Sequence, residues 1–96
     1  MADDNPDQWR IDNSRRQRLE GLTLHFRRYQ RWREDWDHDH CAACWAKFAE
    51  AKDIPDALHE GYATGPDFHK GEAYEWVCPA CFKDLAGMLG WKAAGL

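Results

Sequence analysis

Long apolar segments are absent from this chain of 96 residues. No run of 18 apolar residues occurs, and the start lacks the charged segment and apolar stretch of a secretory signal. The sequence therefore predicts neither a membrane span nor a signal peptide, and we expect a cytoplasmic protein. Thiols stay reduced in that compartment, which favours metal binding by cysteines over disulfide formation.

The short motifs of several enzyme classes are missing as well. The sequence contains no serine nucleophile elbow, no phosphate-binding loop and no Rossmann glycine pattern. Nothing in it requires catalysis, so the interpretation we favour is a protein that is not an enzyme.

Aliphatic side chains are few, whereas tryptophan is plentiful. Only two isoleucines are present. The six tryptophans are Trp9, Trp32, Trp36, Trp45, Trp76 and Trp91. Because an aromatic side chain buries about 150 to 250 Å², we predict a small core built from most of these tryptophans.

Charge is distributed unevenly along the chain. The net charge is −4, yet residues 1–33 hold all eight arginines against five acidic residues, a formal charge of +3. Residues 34–96 hold five lysines against twelve acidic residues, a formal charge of −7. A general attraction to nucleic acid is therefore not expected, whereas a local one through the arginine-rich segment stays open.

All four cysteines fall into two Cys-x-x-Cys pairs, Cys41 with Cys44 and Cys78 with Cys81. Both thiolates of such a pair can bind one ion at about 2.3 Å, and two pairs complete a tetrahedral zinc site without an open position for substrate. We therefore predict one structural Zn²⁺ ion, whose binding supplies roughly 10 to 16 kcal/mol. Two disulfides, or a redox pair at Cys78 and Cys81, are the alternatives.

Two histidines, His38 and His40, precede the first cysteine pair. We expect them to donate hydrogen bonds to the thiolates; ligation of the metal, a separate functional site and plain solvent exposure are the alternatives. Asp35, Asp37 and Asp39 begin like a calcium loop, but the glycine and glutamate that must follow are missing. On a strand the aspartates share one face and the histidines the other. We favour a solvated acidic edge over a weak ion site at Asp37, His38 and Asp39.

The first half of the chain is predicted from turn residues and apolar spacing. Residues 1–8 are acidic and lack large apolar side chains, which predicts a disordered tail before a single zinc-binding domain over residues 9–96. We predict a short helix or turn over 14–19 and a strand over 22–30, because Gly21 interrupts a helix. The alternative for this segment is a continuous helix.

The second half is predicted to hold a hairpin and a helix. Residues 61–64 and 74–77 suit two short strands that a long, glycine-containing loop connects. Pro79 stands where proline is favoured, at the first position of a helix. Phe82, Leu85 and Leu89 then form its core-facing side.

A knuckle, a hairpin and a helix that carries the second cysteine pair follow one another over residues 36–91. This order resembles the treble-clef class of zinc fingers, which implies a small, zinc-stabilised α+β fold to which the N-terminal strand is added. Three motifs are also similar to a group of small, uncharacterised bacterial proteins and imply no activity. They are Trp-Asp-His-Asp-His-Cys-x-x-Cys-Trp-Ala-Lys-Phe (36–48), Leu-His-Glu-Gly-Tyr (58–62) and Trp-Val-Cys-Pro-x-Cys-Phe (76–82).

The chain also resembles His-Me finger (HNH) nucleases, many of which have a treble clef with a Cys-x-x-Cys pair at each end. These enzymes carry an Asp-His pair on the first hairpin strand, after the knuckle. Here the Asp-His pairs precede the knuckle, and the hairpin offers only His59, Glu60 and, in its loop, His69. A nuclease is therefore our third hypothesis.

One segment combines arginines with aromatic residues, as protein interfaces and single-stranded nucleic acid sites do. Its members are Arg27, Arg28, Tyr29, Arg31, Trp32 and Arg33. The alternative is that the guanidinium groups pair with acidic residues of the same chain. We favour a noncatalytic, zinc-stabilised module that binds another protein through this segment or through the surface near His38 and His40. Nucleic-acid binding through residues 27–33 ranks second.

Overall fold

The computed structural model describes residues 6–31 and 34–94. In chain order its elements are α1 (Gln8–Arg16), β1 (Thr23–Arg28), β2 (His38–His40), β3 (Lys47–Ala49), β4 (Glu60–Thr64), β5 (Trp76–Val77), α2 (Pro79–Leu89) and β6 (Lys92–Ala94). The chain is thus a small α+β protein. Neither helix in this part of the chain has the length and apolar character that crossing a membrane requires.

The strands form two sheets. The larger has the order β5-β4-β1-β6, in which β1 is antiparallel to β4 and parallel to β6. The N-terminal strand therefore extends the sheet of the β4-β5 hairpin, as the sequence predicts. The smaller sheet is the antiparallel pair of β2 and β3, which flanks the first Cys-x-x-Cys turn. Neither this pair nor β6 is predicted from the sequence, because three-residue strands carry little periodicity.

Helix α1 begins earlier than the helix or turn that we predicted over residues 14–19. The carbonyl of Asp7 accepts hydrogen bonds from the backbone N–H groups of Arg10 and Ile11 at 3.0 Å, so the helix starts at Gln8. Its buried face consists of Ile11 and Ser14 only. A helix with so few apolar contacts gives no hydrophobic period to detect. Residues 1–5 of the tail that we predicted over positions 1–8 lie outside the described residues.

The second hairpin strand is shorter than predicted, and the Thr64 side chain bonds to the backbone of the residues that precede it. The hydroxyl of buried Thr64 accepts hydrogen bonds from the backbone N–H groups of Tyr74 (3.0 Å) and Glu75 (3.2 Å). The same hydroxyl donates to the carbonyl of Gly71 at 3.1 Å. These hydrogen bonds hold the hairpin loop, and regular strand pairing begins only at Trp76.

Helix α2 is defined at both ends by the residues that the sequence offers there. Cys78 is its N-cap, and the Cys78 sulfur accepts a hydrogen bond from the backbone N–H of Cys81. Pro79 occupies the first helical position, where its missing N–H leaves no donor unpaired. Gly90 ends the helix in a left-handed conformation with φ of 71°. The chain then continues as β6, which the sequence analysis had assigned to no element.

The core lies on both sides of the larger sheet. On one side, Tyr29, Phe48 and Trp76 pack together, with the ring centroids of Tyr29 and Trp76 5.0 Å apart. On the other side, α2 covers the sheet, and the rings of Tyr62 and Phe82 stack at 3.8 Å.

The prediction that most tryptophans form the core is wrong for the five that the structure describes. Trp76 and Trp91 are buried, but Trp9, Trp36 and Trp45 are exposed. Trp32 lies outside the described residues. Tyrosine and phenylalanine take the core positions instead, and three indoles remain at the surface.

Candidate metal centre

Four cysteine sulfurs meet between the turn that joins β2 to β3 and the start of α2. Cys41 follows β2 and pairs with Trp76 through an isolated bridge, while the backbone N–H of Ala42 donates to the Trp76 carbonyl at 2.7 Å. These bonds fasten the first Cys-x-x-Cys turn to the end of β5. Because β5 leads directly into α2, Cys78 and Cys81 arrive beside it.

The separation of the sulfur atoms fits one tetrahedral metal ion. All four Sγ atoms lie within 4.8 Å of one another, and those of Cys44 and Cys78 are 3.7 Å apart. Zinc–sulfur bonds of about 2.3 Å in a tetrahedron place the sulfurs about 3.8 Å from each other. All four cysteines are free, and Cys44 alone among them is more than slightly exposed. The four cysteines can therefore hold one metal ion.

Backbone N–H groups point at the sulfurs, which is the local reason that these turns suit thiolates. Cys41 Sγ accepts from the N–H of Cys44 at 3.5 Å and from that of Cys78 at 3.3 Å. Cys78 Sγ accepts from the N–H of Cys81 at 3.4 Å. Such donors stabilise negative charge on sulfur.

Hydrogen bonds among the thiols shift their pKa values in opposite directions. Hydrogen bonds with the thiols of Cys41 and Cys81 lower the pKa of Cys78 to about 4. Hydrogen bonds to Cys41 and Cys78, together with burial, raise the pKa of Cys81. The cluster thus stabilises one thiolate at the expense of a neighbour, and a bound metal ion is what allows all four sulfurs to ionise.

Arg10 supplies a positive charge to the cluster, which sequence reasoning missed. Its Nη1 donates to Cys81 Sγ at 3.4 Å, and its Nη2 contacts Asp7 and, at 3.2 Å, Asp84. The side chain is only 13% exposed. On the same helix, the Asn13 amide donates to the carbonyl of Ala43 at 2.8 Å, within the first cysteine turn. Helix α1 therefore joins both cysteine pairs through polar contacts.

His38 and His40 lie beside the centre, on the outer face of β2. Nδ1 of His38 is 2.8 Å from Asp37 Oδ1, and this contact lowers the pKa of Asp37. The ring centroids of the two histidines are 5.0 Å apart, and that of His40 is 6.1 Å from Trp45. The hydrogen bonds from these imidazoles to thiolates stay a prediction.

Asp39 points to the opposite face of β2, as strand alternation predicts. Its Oδ2 accepts a hydrogen bond from the hydroxyl of buried Tyr29 at 2.6 Å. Burial and this bond raise the pKa of Tyr29. The Asp39 carboxylate is therefore held on the core side of the strand by Tyr29.

The arginine and aromatic segment makes contacts within the chain. Arg27 pairs with Glu72 at 3.4 Å, and the backbone N–H of Arg31 donates to Glu50 at 3.0 Å. Tyr29 is buried, so its ring is part of the core. Arg28 is exposed, while positions 32 and 33 of the predicted surface (Trp32 and Arg33) lie outside the described residues.

His59 is the hairpin histidine that a nuclease would require, and its ring lies against the backbone. Nδ1 of His59 is 2.9 Å from the carbonyl oxygen of Ala49, and Nε2 is 3.0 Å from that of Pro55. Both ring nitrogens thus bridge two neighbouring turns of the chain. His69 is exposed and packs against the ring of Phe68.

Comparison with known proteins identifies no relative of this chain. No protein-family model matches the chain, and neither a curated protein nor a solved structure matches it significantly. The similarity to a group of small bacterial proteins therefore rests on the three sequence motifs alone.

Proposed function

We propose that this chain is a noncatalytic binding module that one structural zinc ion stabilises. The observation that carries the proposal is the closed set of four sulfurs, with Cys44 and Cys78 3.7 Å apart. Four thiolates fill a tetrahedral zinc ion and leave no position for a substrate. Free thiols suit a reducing compartment, and we propose the cytoplasm.

The order of elements supports a treble-clef-like arrangement as the finer description. The β2-β3 pair with its Cys-x-x-Cys turn corresponds to the knuckle, β4 and β5 to the hairpin, and α2 to the helix that carries the second pair. β1 is the added N-terminal strand. In this arrangement the metal ion joins the knuckle to the helix, which a chain with so few aliphatic residues needs for stability.

We propose a protein as the binding partner, and the surface around Trp45 as the contact. Trp45 is 61% exposed and has φ of 70°, a left-handed conformation that costs a residue with a Cβ roughly 1 to 2 kcal/mol. Glycine would adopt this backbone conformation without strain, so the backbone geometry does not call for an indole at this position. Tryptophan is the residue type most often found at the energetic centres of protein interfaces. Trp45 lies beside His40, on the surface that the sequence analysis named.

Nucleic-acid binding through residues 27–33 has less support. Phosphate contacts require available guanidinium groups, whereas Arg27 and Arg31 have carboxylate partners, and stacking requires exposed rings, whereas Tyr29 is buried. A nuclease has the least support, because both nitrogens of His59 lie against backbone carbonyls.

The metal proposal is tested by elemental analysis of the purified protein and of a variant in which Cys78 and Cys81 are both serine. After dialysis against buffer, we expect one tightly bound zinc per chain in the wild type, and loss of both zinc and folded structure in the variant. Ala80→Ser adds a hydroxyl to the same exposed turn and keeps all four sulfurs, so it is the matched control. A folded serine variant, or a wild type without zinc, would contradict the proposal.

The partner proposal is tested by photo-crosslinking from position 45 in an extract of the native cells, with a crosslinker at the exposed Trp9 as the control. We expect an adduct from position 45 that protease destroys and nuclease does not. An adduct sensitive to nuclease would favour the nucleic-acid alternative. Equal adducts from both positions would show that the contact is not specific to Trp45.

A further inference from the structure

The partly buried His38 and the exposed His40 of β2 form a pair of imidazoles outside the group of four cysteines. His38 and His40 are separated by one residue on a strand, so both side chains project from the same face. Pairing of β2 with β3 fixes the backbone between them. They line a depression of about 370 Å³ at the surface, together with Asp35, Trp36, Asp37 and Asp39.

The separation of the two rings matches that of two imidazoles on one metal ion. A histidine nitrogen binds zinc at about 2.0 to 2.1 Å, which puts the ring centroid about 3.2 Å from the ion. At the angles of a square-planar or tetrahedral ion, two such centroids are about 4.5 to 5.2 Å apart. The observed separation of the centroids of His38 and His40 is 5.0 Å.

Asp37 prepares one of these rings for metal binding. Its Oδ1 lies 2.8 Å from Nδ1 of His38 and accepts the proton there. That hydrogen bond fixes the tautomer in which Nε2 carries the free lone pair. A carboxylate on the far nitrogen is the usual second partner of a metal-binding histidine, and it raises the basicity of the ligand.

We propose that His38 and His40 form a second, solvent-facing site for a divalent late first-row metal ion such as nickel, copper or zinc. Imidazole suits these ions, whereas magnesium and calcium prefer oxygen ligands. Asp39 is not a ligand, because its carboxylate accepts from Tyr29 on the other face of the strand.

The second site differs in kind from the thiol centre. Across residues 6–31 and 34–94, the four cysteines are the only group of three or more His, Cys, Asp and Glu side chains that meet closely enough to hold an ion. The histidine pair therefore supplies two protein ligands, and water completes the coordination. An ion held in this way is open to exchange and to a further ligand, unlike the enclosed ion among four sulfurs.

Nickel titration of the zinc-loaded wild-type protein tests the proposal. Ni²⁺ is paramagnetic, so we expect selective broadening of the imidazole NMR signals of His38 and His40 at one equivalent. The signals of His25, His59 and His69 serve as internal controls. Elemental analysis must show that zinc stays bound throughout. Absence of broadening in the wild type, equal broadening of all five histidines, or nickel uptake only with loss of zinc would overturn the proposal.

Substitutions then distinguish the two proposed ligands from the carboxylate that orients one of them. His38→Asn and His40→Asn should each abolish the one-equivalent calorimetric signal of nickel, whereas His69→Ala, which removes another exposed histidine, should leave it unchanged. Asp37→Ala should weaken nickel binding about tenfold, as loss of a carboxylate behind a metal-binding histidine does. Equal nickel affinity in the His38 and His69 variants would overturn the site. Because the wild-type NMR experiment needs no variant, the test holds even if a substitution next to Cys41 disturbs zinc.

Discussion

Replacement of Arg10 by methionine tests how this fold stabilises four thiolates. The guanidinium group lies 3.4 Å from Cys81 Sγ and is mostly buried. Methionine keeps an unbranched apolar stem and removes the charge and the hydrogen bond. We therefore expect Arg10→Met to weaken zinc binding while the cysteines themselves stay unchanged.

The size of the effect follows from the charges around Arg10. Two unit charges 3.4 Å apart attract by about 5 kcal/mol at an effective dielectric constant of about 20. Only part of this attraction should be lost, because Arg10 also pairs with Asp7 and Asp84, and because a bound metal ion takes up part of the thiolate charge. Groups that support metal ligands typically contribute 10- to 100-fold in affinity. We expect a loss in that range, about 1.4 to 2.7 kcal/mol.

Zinc affinity is measured by competition with a chromophoric chelator at neutral pH. The matched control is Arg15→Met, which removes an arginine of the same helix and its exposed ion pair with Glu20. The control should bind zinc as the wild type does. Wild-type affinity in Arg10→Met, or an equal loss in Arg15→Met, would refute the assigned role of Arg10.

Three further substitutions test the scaffold, each by chemical denaturation of the zinc-loaded protein. Tyr29→Phe removes the bond to Asp39 and should lower the free energy of unfolding by about 2 kcal/mol at pH 7. In the wild type, the raised pKa of Tyr29 means that above pH 10 the unfolded chain ionises this tyrosine while the folded chain keeps it protonated. Stability should therefore fall by up to about 1.4 kcal/mol per pH unit there, and less steeply in Tyr29→Phe; equal slopes would contradict this assignment. Gly61→Ala places a Cβ 2.7 Å from the ring of buried Phe48 and 2.9 Å from the backbone oxygen of Val77, and should destabilise by about 2 to 3 kcal/mol; no loss would mean that both the ring and this backbone can shift. Trp45→Gly relieves the left-handed strain and should stabilise by roughly 1 kcal/mol, whereas destabilisation would show that the exposed indole contributes to packing.

Elements with a local chemical cause were predictable from the sequence. The β1 strand follows Gly21, and Pro79 and Gly90 mark the two ends of α2. Each of these signals depends on the backbone preference of one residue and its immediate neighbours. Helix α1 lacked such a signal, because polar bonds rather than an apolar stripe fix it to the rest of the chain.

The candidate metal centre also has one part that the sequence indicates and one part that only the tertiary structure shows. Two Cys-x-x-Cys pairs indicate a four-sulfur site because the spacing alone brings two sulfurs of one turn together. The contribution of Arg10 depends on contact with Cys81, 71 residues away. Two residues that far apart in the sequence come into contact only through the fold of the whole chain. No rule about residue spacing could therefore indicate this contact.

The sequence by itself determined that four thiolates can meet at one ion, and that aspartates and histidines would face opposite ways if residues 35–40 formed a strand. Only the tertiary structure decided what each face meets: Asp39 reaches Tyr29 in the core, while His38 and His40 stand together at the surface. It also decided that Trp76 is buried and Trp45 exposed, which composition cannot distinguish. The physical reason is that alternation and ligand spacing are properties of a few consecutive residues. Burial and charge pairing depend on which distant segments the folded chain brings into contact.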